Sequence, residues 1–177
     1  TKGQRIELDA RMDSSIKKCT TFLRKLKLLS EHTLENLLLD LKTTNLNKYV
    51  AEVVNTLCEI KLNKNIDVIK CIRIASIMHQ RHDGFIQQFI STLIKEVPLR
   101  GKKGTLSEME VNDDINNAIK RRGHLRLLSD SLIVGLLDNA TPIISIVGDI
   151  MQRDVHSNDE SYTYLSLLLS FERKIYN

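Results

Sequence analysis

Apolar residues recur every three or four positions along most of the chain. In the first segment they advance by 4, 4, 3, 4 and 3 residues, at Leu8, Met12, Ile16, Cys19, Leu23 and Leu26. Because an α-helix makes one turn in about 3.6 residues, this spacing predicts an amphipathic helix from about Leu8 to Leu28. A second helix follows Ser30, a good N-cap residue, and its apolar positions are Leu34, Leu37, Leu38 and Leu41.

The same period predicts a third, a fourth and a fifth helix. Asn45 ends the second helix and is placed to cap the third, whose apolar positions are Leu46, Val50, Val53, Leu57 and Ile60. The fourth helix, from about Asn65 to His82, is apolar nearly all round, which predicts burial on several sides. Gly84 separates it from a fifth helix over Phe85 to Val97, which Pro98 stops.

The second half of the chain contains one predicted loop and three further helices. Residues 99–112 are basic, rich in Gly and without an apolar period, so we expect a mobile loop there. A sixth helix is predicted from about Asp114 to Leu137. Thr141 and Pro142 open a seventh helix. An eighth follows Ser157 or Asn158, with one face formed by Tyr164, Leu168, Phe171 and Ile175.

Eight helices with short links can form antiparallel pairs. First helices of successive pairs start near residues 13, 46, 84 and 141, in steps of 33, 38 and 57 residues, and the last step contains the predicted loop. Repeats of roughly 35–45 residues with two helices each indicate a HEAT-like solenoid rather than a four-helix bundle. We therefore expect one all-α domain over residues 1–177. We also expect the natural protein to continue, because the eighth helix is apolar on more than one side.

Composition supports this architecture and narrows the class of protein. Only 7 Gly and 2 Pro occur, which is too few for the many turns of an all-β domain. No apolar run approaches the roughly 18 residues of a membrane span, and no secretory leader is visible. The three cysteines form no C-x-x-C pair and have apolar neighbours. We expect free buried thiols, which suit the cytosol or the nucleus.

The basic residues are unevenly distributed. The formal net charge is +4, and residues 1–30 hold eight Lys or Arg against Glu7, Asp9 and Asp13. Candidates for a surface that binds RNA or an acidic partner are Lys17, Lys18, Arg24 and Lys25 in the first helix and Lys120, Arg121, Arg122 and Arg126 in the sixth. Base recognition would need aromatic platforms, and aromatic residues make up only 5% of the chain. A surplus of this size is also typical of a solvated helix face.

The string most typical of an enzyme is His79-x-x-His82-Asp83. A metal-dependent hydrolase would need a further His and Asp, for which His32 and Asp130 are available. At a helix end, however, a cationic side chain suits the helix dipole and a short polar residue suits the turn, so a structural role explains the string as well. No phosphate-binding loop, nucleophile elbow or zinc-protease motif occurs. We therefore expect that the chain is not an enzyme and binds no cofactor.

Four strings, in a fixed order, resemble one family. They are Met12-Asp13-Ser14-Ser15-Ile16-Lys17-Lys18, Asn45-Leu46-Asn47-Lys48-Tyr49-Val50-Ala51-Glu52, Ile77-Met78-His79-Gln80-Arg81-His82, and Arg122-Gly123-His124-Leu125-Arg126-Leu127, which leads into Leu132-Ile133-Val134-Gly135-Leu136. Together they are similar to the first middle-domain-of-initiation-factor-four-gamma (MIF4G-type) domain of the second up-frameshift factors, which regulate nonsense-mediated mRNA decay. The resemblance covers about Leu8 to Asn139. Asp130 departs from it, since the family usually has Glu there.

The resemblance implies a HEAT-like solenoid without a catalytic centre, serving as a scaffold in a cytoplasmic mRNA surveillance complex. In that family a helicase binds near the C-terminus and an exon-junction partner binds the third repeat domain. This first domain is therefore expected to act as a spacer that contacts sister repeat domains, and no family binding residue carries over to it. Three hypotheses remain: a protein scaffold, an RNA-binding solenoid that uses the N-terminal stripe, and a metal-dependent hydrolase.

Overall fold

The computed structural model describes residues 12–62, 64–96 and 108–156, with the side chains of residues 120–149 in the last range. Seven α-helices and no strand occur in these ranges. They are α1 (Ile16–Lys27), α2 (Glu31–Thr43), α3 (Val50–Glu59), α4 (Asn65–Arg81), α5 (Phe85–Glu96), α6 (Glu108–Ile133) and α7 (Thr141–His156). One turn of 3₁₀-helix, Asn47–Tyr49, precedes α3.

The helices alternate between two layers. In one layer α1 packs on α3 and α3 on α5, while in the other α2 packs on α4 and α4 on α6. The layers are joined by contacts of α1 with α2, of α4 with α5 and of α5 with α6, and α7 packs on α6. Each of the first four helices thus contacts the second helix after it, which is the pattern of stacked helix pairs. The predicted all-α solenoid is confirmed for the described residues.

The core lies between these layers. Its largest side chains with less than 2% of their surface exposed include Phe22, Leu37, Leu57, Ile74, Phe89 and Leu125, one from each of the first six helices. Phe85 and Phe89 stack one helical turn apart, with ring centroids 5.6 Å from each other. Each such side chain contributes about 1.5–3 kcal/mol when it leaves water. A continuous apolar layer therefore holds the stack together.

The predicted cap of α2 is confirmed. The backbone N–H of Thr33 donates to Ser30 Oγ at 3.3 Å, and the backbone N–H of Ser30 donates to Thr33 Oγ1 at 2.8 Å. These reciprocal bonds satisfy two donors that the start of the helix would otherwise leave unpaired. Gly84, predicted to punctuate the end of α4, has a φ of +75°, which favours glycine. The predicted end of α5 near Pro98 lies outside the described residues.

The first helix is shorter than the apolar spacing predicts. It begins at Ile16 instead of Leu8, which lies outside the described residues. Asp13 forms a parallel bridge with Thr44: its N–H donates to the carbonyl of Thr43 at 2.9 Å, and its carbonyl accepts from Asn45 N–H at 3.0 Å. A backbone that pairs with a neighbouring segment cannot also make helical hydrogen bonds, so the helix starts after this pairing.

The start of the third helix also differs from the prediction. Asn45 does not cap α3, because its Oδ1 accepts from the N–H of Asn47 at 3.0 Å and so begins the 3₁₀ turn. The N-cap of α3 is Tyr49, whose side chain makes no capping bond. The apolar stripe alone could not separate this tighter turn from the α-helix that follows it, because both have similar periods.

The boundaries predicted for the sixth helix were wrong, whereas the seventh helix begins at Thr141, within one residue of the predicted start. Residues 108–112, predicted as part of the loop 99–112, are the start of α6. Residues 99–107 of that loop lie outside the described residues, as does the predicted eighth helix. The seventh helix includes Thr141 as its first residue, and Asn139 Oδ1 accepts the N–H of Thr141 at 3.0 Å.

The sixth helix ends four residues before the predicted Leu137. Gly135 has a φ of +75°, a conformation that L side chains rarely adopt. Its N–H donates to the carbonyl of Leu132 at 3.1 Å, and the N–H of Leu136 donates to the carbonyl of Ser131 at 2.8 Å. This pair of bonds is the Schellman arrangement that closes a helix, and the buried Leu136 then packs back on the core.

None of the described helices is both long enough and apolar enough to cross a bilayer.

Candidate interaction surface

The outer face of α1 is strongly basic. The helix packs on the core through Cys19, Phe22 and Leu26. Its sequence contains five Lys or Arg and no Asp or Glu, and its exposed cationic side chains are Lys17, Lys18, Arg24 and Lys27. The predicted first stripe of Lys17, Lys18, Arg24 and Lys25 therefore does lie on one side of one helix. Lys27 was missed, although the absence of acidic residues from the segment could have indicated it.

Two cations of α1 are neutralised within the chain. Lys18 Nζ lies 2.9 Å from Asp13 Oδ2, and Lys25 Nζ lies 2.6 Å from Asp40 Oδ2. The hydrogen bond from Lys18, followed by the backbone N–H of Ser15, lowers the pKa of Asp13 to about 2. Asp13 is therefore ionised at neutral pH and holds Lys18 beside the start of the helix.

Three cations of α1 remain without such a partner. Lys17, Arg24 and Lys27 form no ion pair with any residue that the structure describes. Arg24 and Lys27 lie in the last turn, where the helix dipole favours a positive charge. Lys17 is the second residue of the helix, where the same dipole disfavours it.

Exposed apolar side chains lie at both ends of this basic face. Ile16 exposes 72% of its surface and Leu28 exposes 69%. Lys17, Arg24 and Leu28 follow one another at spacings of seven and four residues, which places them along one line on the helix. The outer face of α1 therefore combines unpaired positive charge with apolar surface.

The second predicted stripe does not form a basic surface. Lys120 Nζ is bound to Glu96 Oε2 at 2.6 Å, a hydrogen bond that lowers the pKa of Glu96. Arg121 is only 4% exposed, so its predicted place on an exposed stripe is corrected. Consecutive helical residues point about 100° apart, so three of them cannot share one face. Arg122 is exposed, Lys120 is half-buried and Arg121 is buried.

The two predicted stripes also do not merge. Arg126, the last member of the second stripe, is bound to Asp130 through Nε at 3.0 Å. In addition, α1 belongs to the first helix pair and one layer, whereas α6 belongs to the third pair and the other layer. The candidate interaction surface is therefore the outer face of α1.

The residues of the metal hypothesis are separated. His82 is buried, and its Nδ1 lies 2.6 Å from Asn47 Oδ1, so it joins the end of α4 to the turn before α3. Burial, followed by the charge of Arg81, lowers the pKa of His82. His79 and His32 are exposed. Among the side chains that the structure describes, no three His, Cys, Asp or Glu could together hold a metal ion.

The four strings that resemble the family supply contacts that close a helix pair or join one pair to the next. Arg81 Nη1 donates to the carbonyl of Leu41, in the preceding pair. His124 Nε2 lies 3.0 Å from the carbonyl oxygen of Cys58 and must donate to it, since that oxygen can only accept. The Asp13–Thr44 bridge joins the start of α1 to the end of α2 within the first pair, and the His82–Asn47 contact joins the end of α4 to the turn before α3 within the second pair.

The three cysteines are free and buried, as predicted. Burial raises the pKa of Cys58 and of Cys71 to about 12, so both remain thiols at neutral pH. Burial also raises the pKa of Cys19, whose Sγ lies 3.6 Å from the carbonyl oxygen of Asn45. Thiols that do not ionise are poor nucleophiles and metal ligands, so these residues serve as small apolar core groups.

The chain is similar to regulators of nonsense-mediated decay from several kingdoms. It is 35% identical to the regulator of nonsense transcripts UPF2 of Arabidopsis thaliana over 164 residues, and this alignment covers 92% of the chain. It is 31% identical over 164 residues to regulator of nonsense transcripts 2 of Homo sapiens. The nonsense-mediated mRNA decay protein 2 of Saccharomyces cerevisiae is 30% identical over 173 residues.

The chain corresponds to a small part of these relatives. It spans 14% of the Arabidopsis protein, 12% of the human protein and 15% of the yeast protein. No model of a protein family matches it.

Two solved structures share the fold. The first MIF4G domain of human nonsense mediated decay factor UPF2 superposes with a TM-score of 0.72 at 32% identity, over 93% of this chain and 49% of that one. The N-terminal MIF4G domain of Saccharomyces cerevisiae Upf2 gives a TM-score of 0.57 at 31% identity, over 71% of this chain and 40% of that one. By sequence and by fold, this chain belongs to the family of first MIF4G domains of the UPF2-type regulators of nonsense-mediated mRNA decay.

Proposed function

We propose that the chain is a non-catalytic scaffold within a nonsense-mediated mRNA decay factor and that it works through protein–protein contacts. The relatives are named as regulators of nonsense transcripts, and the yeast structure belongs to a protein involved in the degradation of mRNAs containing premature stop codons. The partners are other proteins of the mRNA decay complex, in the cytoplasm.

One observation supports a scaffold above the alternatives. Polar groups that a reaction centre could use hold the stack together instead: Arg81 binds Leu41 and His124 binds Cys58 across helix pairs, and His82 binds Asn47 within the second pair. Their partners are carbonyl or amide oxygens in other helix pairs or turns. A side chain whose polar atoms bind the backbone of a neighbouring repeat fixes the shape of the stack, and a fixed shape is what a scaffold requires.

The division of work within the parent protein follows from the family resemblance. A decay helicase and an exon-junction partner are bound by other parts of the parent chain, and this domain spaces those parts and contacts sister repeat domains.

Crosslinking mass spectrometry on the parent protein in its purified complex tests this proposal. We expect crosslinks from α1–α7 to decay proteins or to sister domains of the same chain. The purified chain should show no nucleotide hydrolysis and no metal in elemental analysis. A complex in which these helices crosslink to no protein would contradict the scaffold function. Nucleotide hydrolysis that is lost in His82→Ala but kept in variants of Lys17 and Arg24 would contradict it as well.

RNA binding is the second candidate, and the unpaired charge of α1 favours it. Lys17, Arg24 and Lys27 offer three cations to a phosphate backbone. If RNA is the ligand, its affinity must fall steeply with salt, because each neutralised phosphate releases counterions. Fluorescence anisotropy with a single-stranded RNA oligonucleotide should then show loss of binding in Lys17→Glu/Arg24→Glu. Absence of binding at low salt removes this candidate.

A further inference from the structure

We propose that the outer face of α1 docks an acidic amphipathic helix of a partner protein. The proposal rests on the scaffold function and names the surface and the kind of partner. The surface consists of Lys17, Arg24 and Lys27, with Ile16 and Leu28 at its ends; it is called the α1 ridge below.

Charge is the first argument for the α1 ridge. Lys18 and Lys25 are paired with Asp13 and Asp40, whereas the three cations of the ridge have no ionic partner among the described residues. An acidic segment would complement a helix that contains no acidic residue of its own. Residues 1–11 do not offer such a segment, because they hold three basic residues against two acidic ones.

The position of Lys17 is the second argument. A cation at the second residue of a helix opposes the helix dipole, and Lys18 next to it is compensated by Asp13 at 2.9 Å. Lys17 has no such compensation among the described residues. An unfavourable charge that nothing in the described chain offsets is explained if a carboxylate of a partner offsets it in the complex.

The apolar ends of the α1 ridge favour a protein over RNA. Ile16 and Leu28 expose most of their surface. The phosphate backbone of a bound RNA is polar and would leave both apolar side chains in contact with water. Tyr and Trp, on which RNA bases stack, are absent from α1. The side chains of Leu and Ile can instead be covered by apolar residues of an amphipathic helix.

The geometry of the α1 ridge fits a helix of similar length. Lys17 and Arg24 are separated by seven residues, which is about 10.5 Å along a helix axis. Carboxylates seven residues apart on a partner helix have the same spacing. The Lys18–Asp13 and Lys25–Asp40 pairs beside the ridge have no net charge, so the surplus positive charge of α1 is confined to the ridge.

Zero-length carbodiimide crosslinking of the parent complex tests the proposal, because it joins a lysine amine only to a carboxylate in contact with it. We expect Lys17 and Lys27, which are about 15 Å apart along α1, to be joined to Asp or Glu residues about ten or eleven positions apart on one helix of one partner protein. Replacing Lys17 and Arg24 by Glu in the full parent protein should lower the yield of that complex about tenfold, since like charges would then face each other. Exchanging the crosslinked acidic residues of the partner for Lys should restore it.

The matched control is Lys61→Glu/Lys64→Glu. Both lysines are exposed and belong to the turn between α3 and α4 instead of to α1, and the net charge changes by the same amount. This variant should leave the complex intact.

The remaining outcomes would overturn the ridge proposal. Carboxylate crosslinks confined to Lys61 and Lys64, an equal loss in the control variant, or ultraviolet crosslinks of α1 to RNA in place of protein would each do so. Crosslinks to decay proteins through other helices would overturn the ridge and still support the scaffold. Absence of any protein crosslink from the chain would instead contradict the scaffold itself.

Discussion

Single side chains of this chain fall into two groups, those that bind within the chain and those that do not. Lys18 and Lys25 form ion pairs with acidic residues of the chain, whereas Lys17 and Lys27 form none with the described residues. Their spacing in the sequence does not distinguish them, because ion pairing depends on which acidic residue another helix brings near. The difference determines what each residue contributes to stability.

Lys17→Glu should raise the free energy of unfolding by about 0.3–1 kcal/mol, because a negative charge replaces a positive one at the positive end of the α1 dipole. Lys27→Glu is the matched control at the other end of the same helix, and it should lower the free energy by a similar amount. Urea denaturation followed by circular dichroism measures both. A loss of stability in Lys17→Glu would show that the residue has a stabilising contact in the chain.

Two buried histidines make stability depend on pH. Burial is the main cause that lowers the pKa of His82 and of His124 from 6.5, and His124 is 1% exposed. As the pH falls below about 6.5 the unfolded chain binds protons that the folded chain does not, so stability decreases until the folded-state pKa is reached. Each histidine can contribute at most about 1.4 kcal/mol per pH unit in this interval.

We therefore expect the midpoint of thermal unfolding to fall between pH 7 and pH 5 at constant ionic strength. His124→Gln should reduce that slope, even if it lowers stability at pH 7, because one titrating group is lost. A midpoint that does not change over this interval would contradict the burial of both imidazoles in neutral form.

Where each helix begins and ends depends both on local backbone hydrogen bonds and on contacts with other parts of the fold. Ser30 was predicted as an N-cap and is one, since its partner Thr33 is only three residues away. The end of α6 was predicted too late, although Gly135 was available as a signal. The apolar run on both sides of Gly135 suggested a longer helix, but its φ of +75° closes the helix there.

Gly135→Ala should lower the free energy of unfolding by about 1–2 kcal/mol, because alanine is strained at a positive φ. Gly148→Ala provides the contrast. Gly148 lies within α7, and an added Cβ would meet nothing within 4 Å, so this change should stabilise the chain by about 0.5–1 kcal/mol. Chemical denaturation of the two variants gives opposite signs if the helix ends as described.

The stack of helix pairs depends on close approaches between repeats. A Cβ added to Gly123 of α6 would lie 2.8 Å from Leu62 Cβ and 3.4 Å from the carbonyl oxygen of Leu62. Gly123 therefore lets α6 approach the turn that precedes α4. The adjacent His124 binds the carbonyl of Cys58, so the two residues together fix α6 against the preceding pair.

Gly123→Ala should lower the free energy of unfolding by about 1–3 kcal/mol, because either the turn or α6 must shift. Gly148→Ala serves again as the control for the helical propensity of alanine. If Gly123→Ala is as stable as Gly148→Ala, the contact between α6 and Leu62 is looser than described.

Much of the architecture was predictable because it depends on spacing along the chain. The period of 3.6 and the recurrence of pairs near residues 13, 46, 84 and 141 agree with the starts of α1, α3, α5 and α7. The basic stripe of α1 was predictable for the same reason. The stripe of α6 was not, because burial of Arg121 and the bond between Lys120 and Glu96 arise from helices distant in sequence.

The amino-acid order by itself determined the helices, their pairing and the positive charge of α1, because each depends on neighbours within a turn or two. The three-dimensional packing decided which cations remain free, where α1 begins and what the imidazoles bind. Those outcomes depend on groups far apart in the sequence, such as Asp13 with Thr44 at the two ends of the first pair or His124 with Cys58 in different pairs, and no local period encodes such distances.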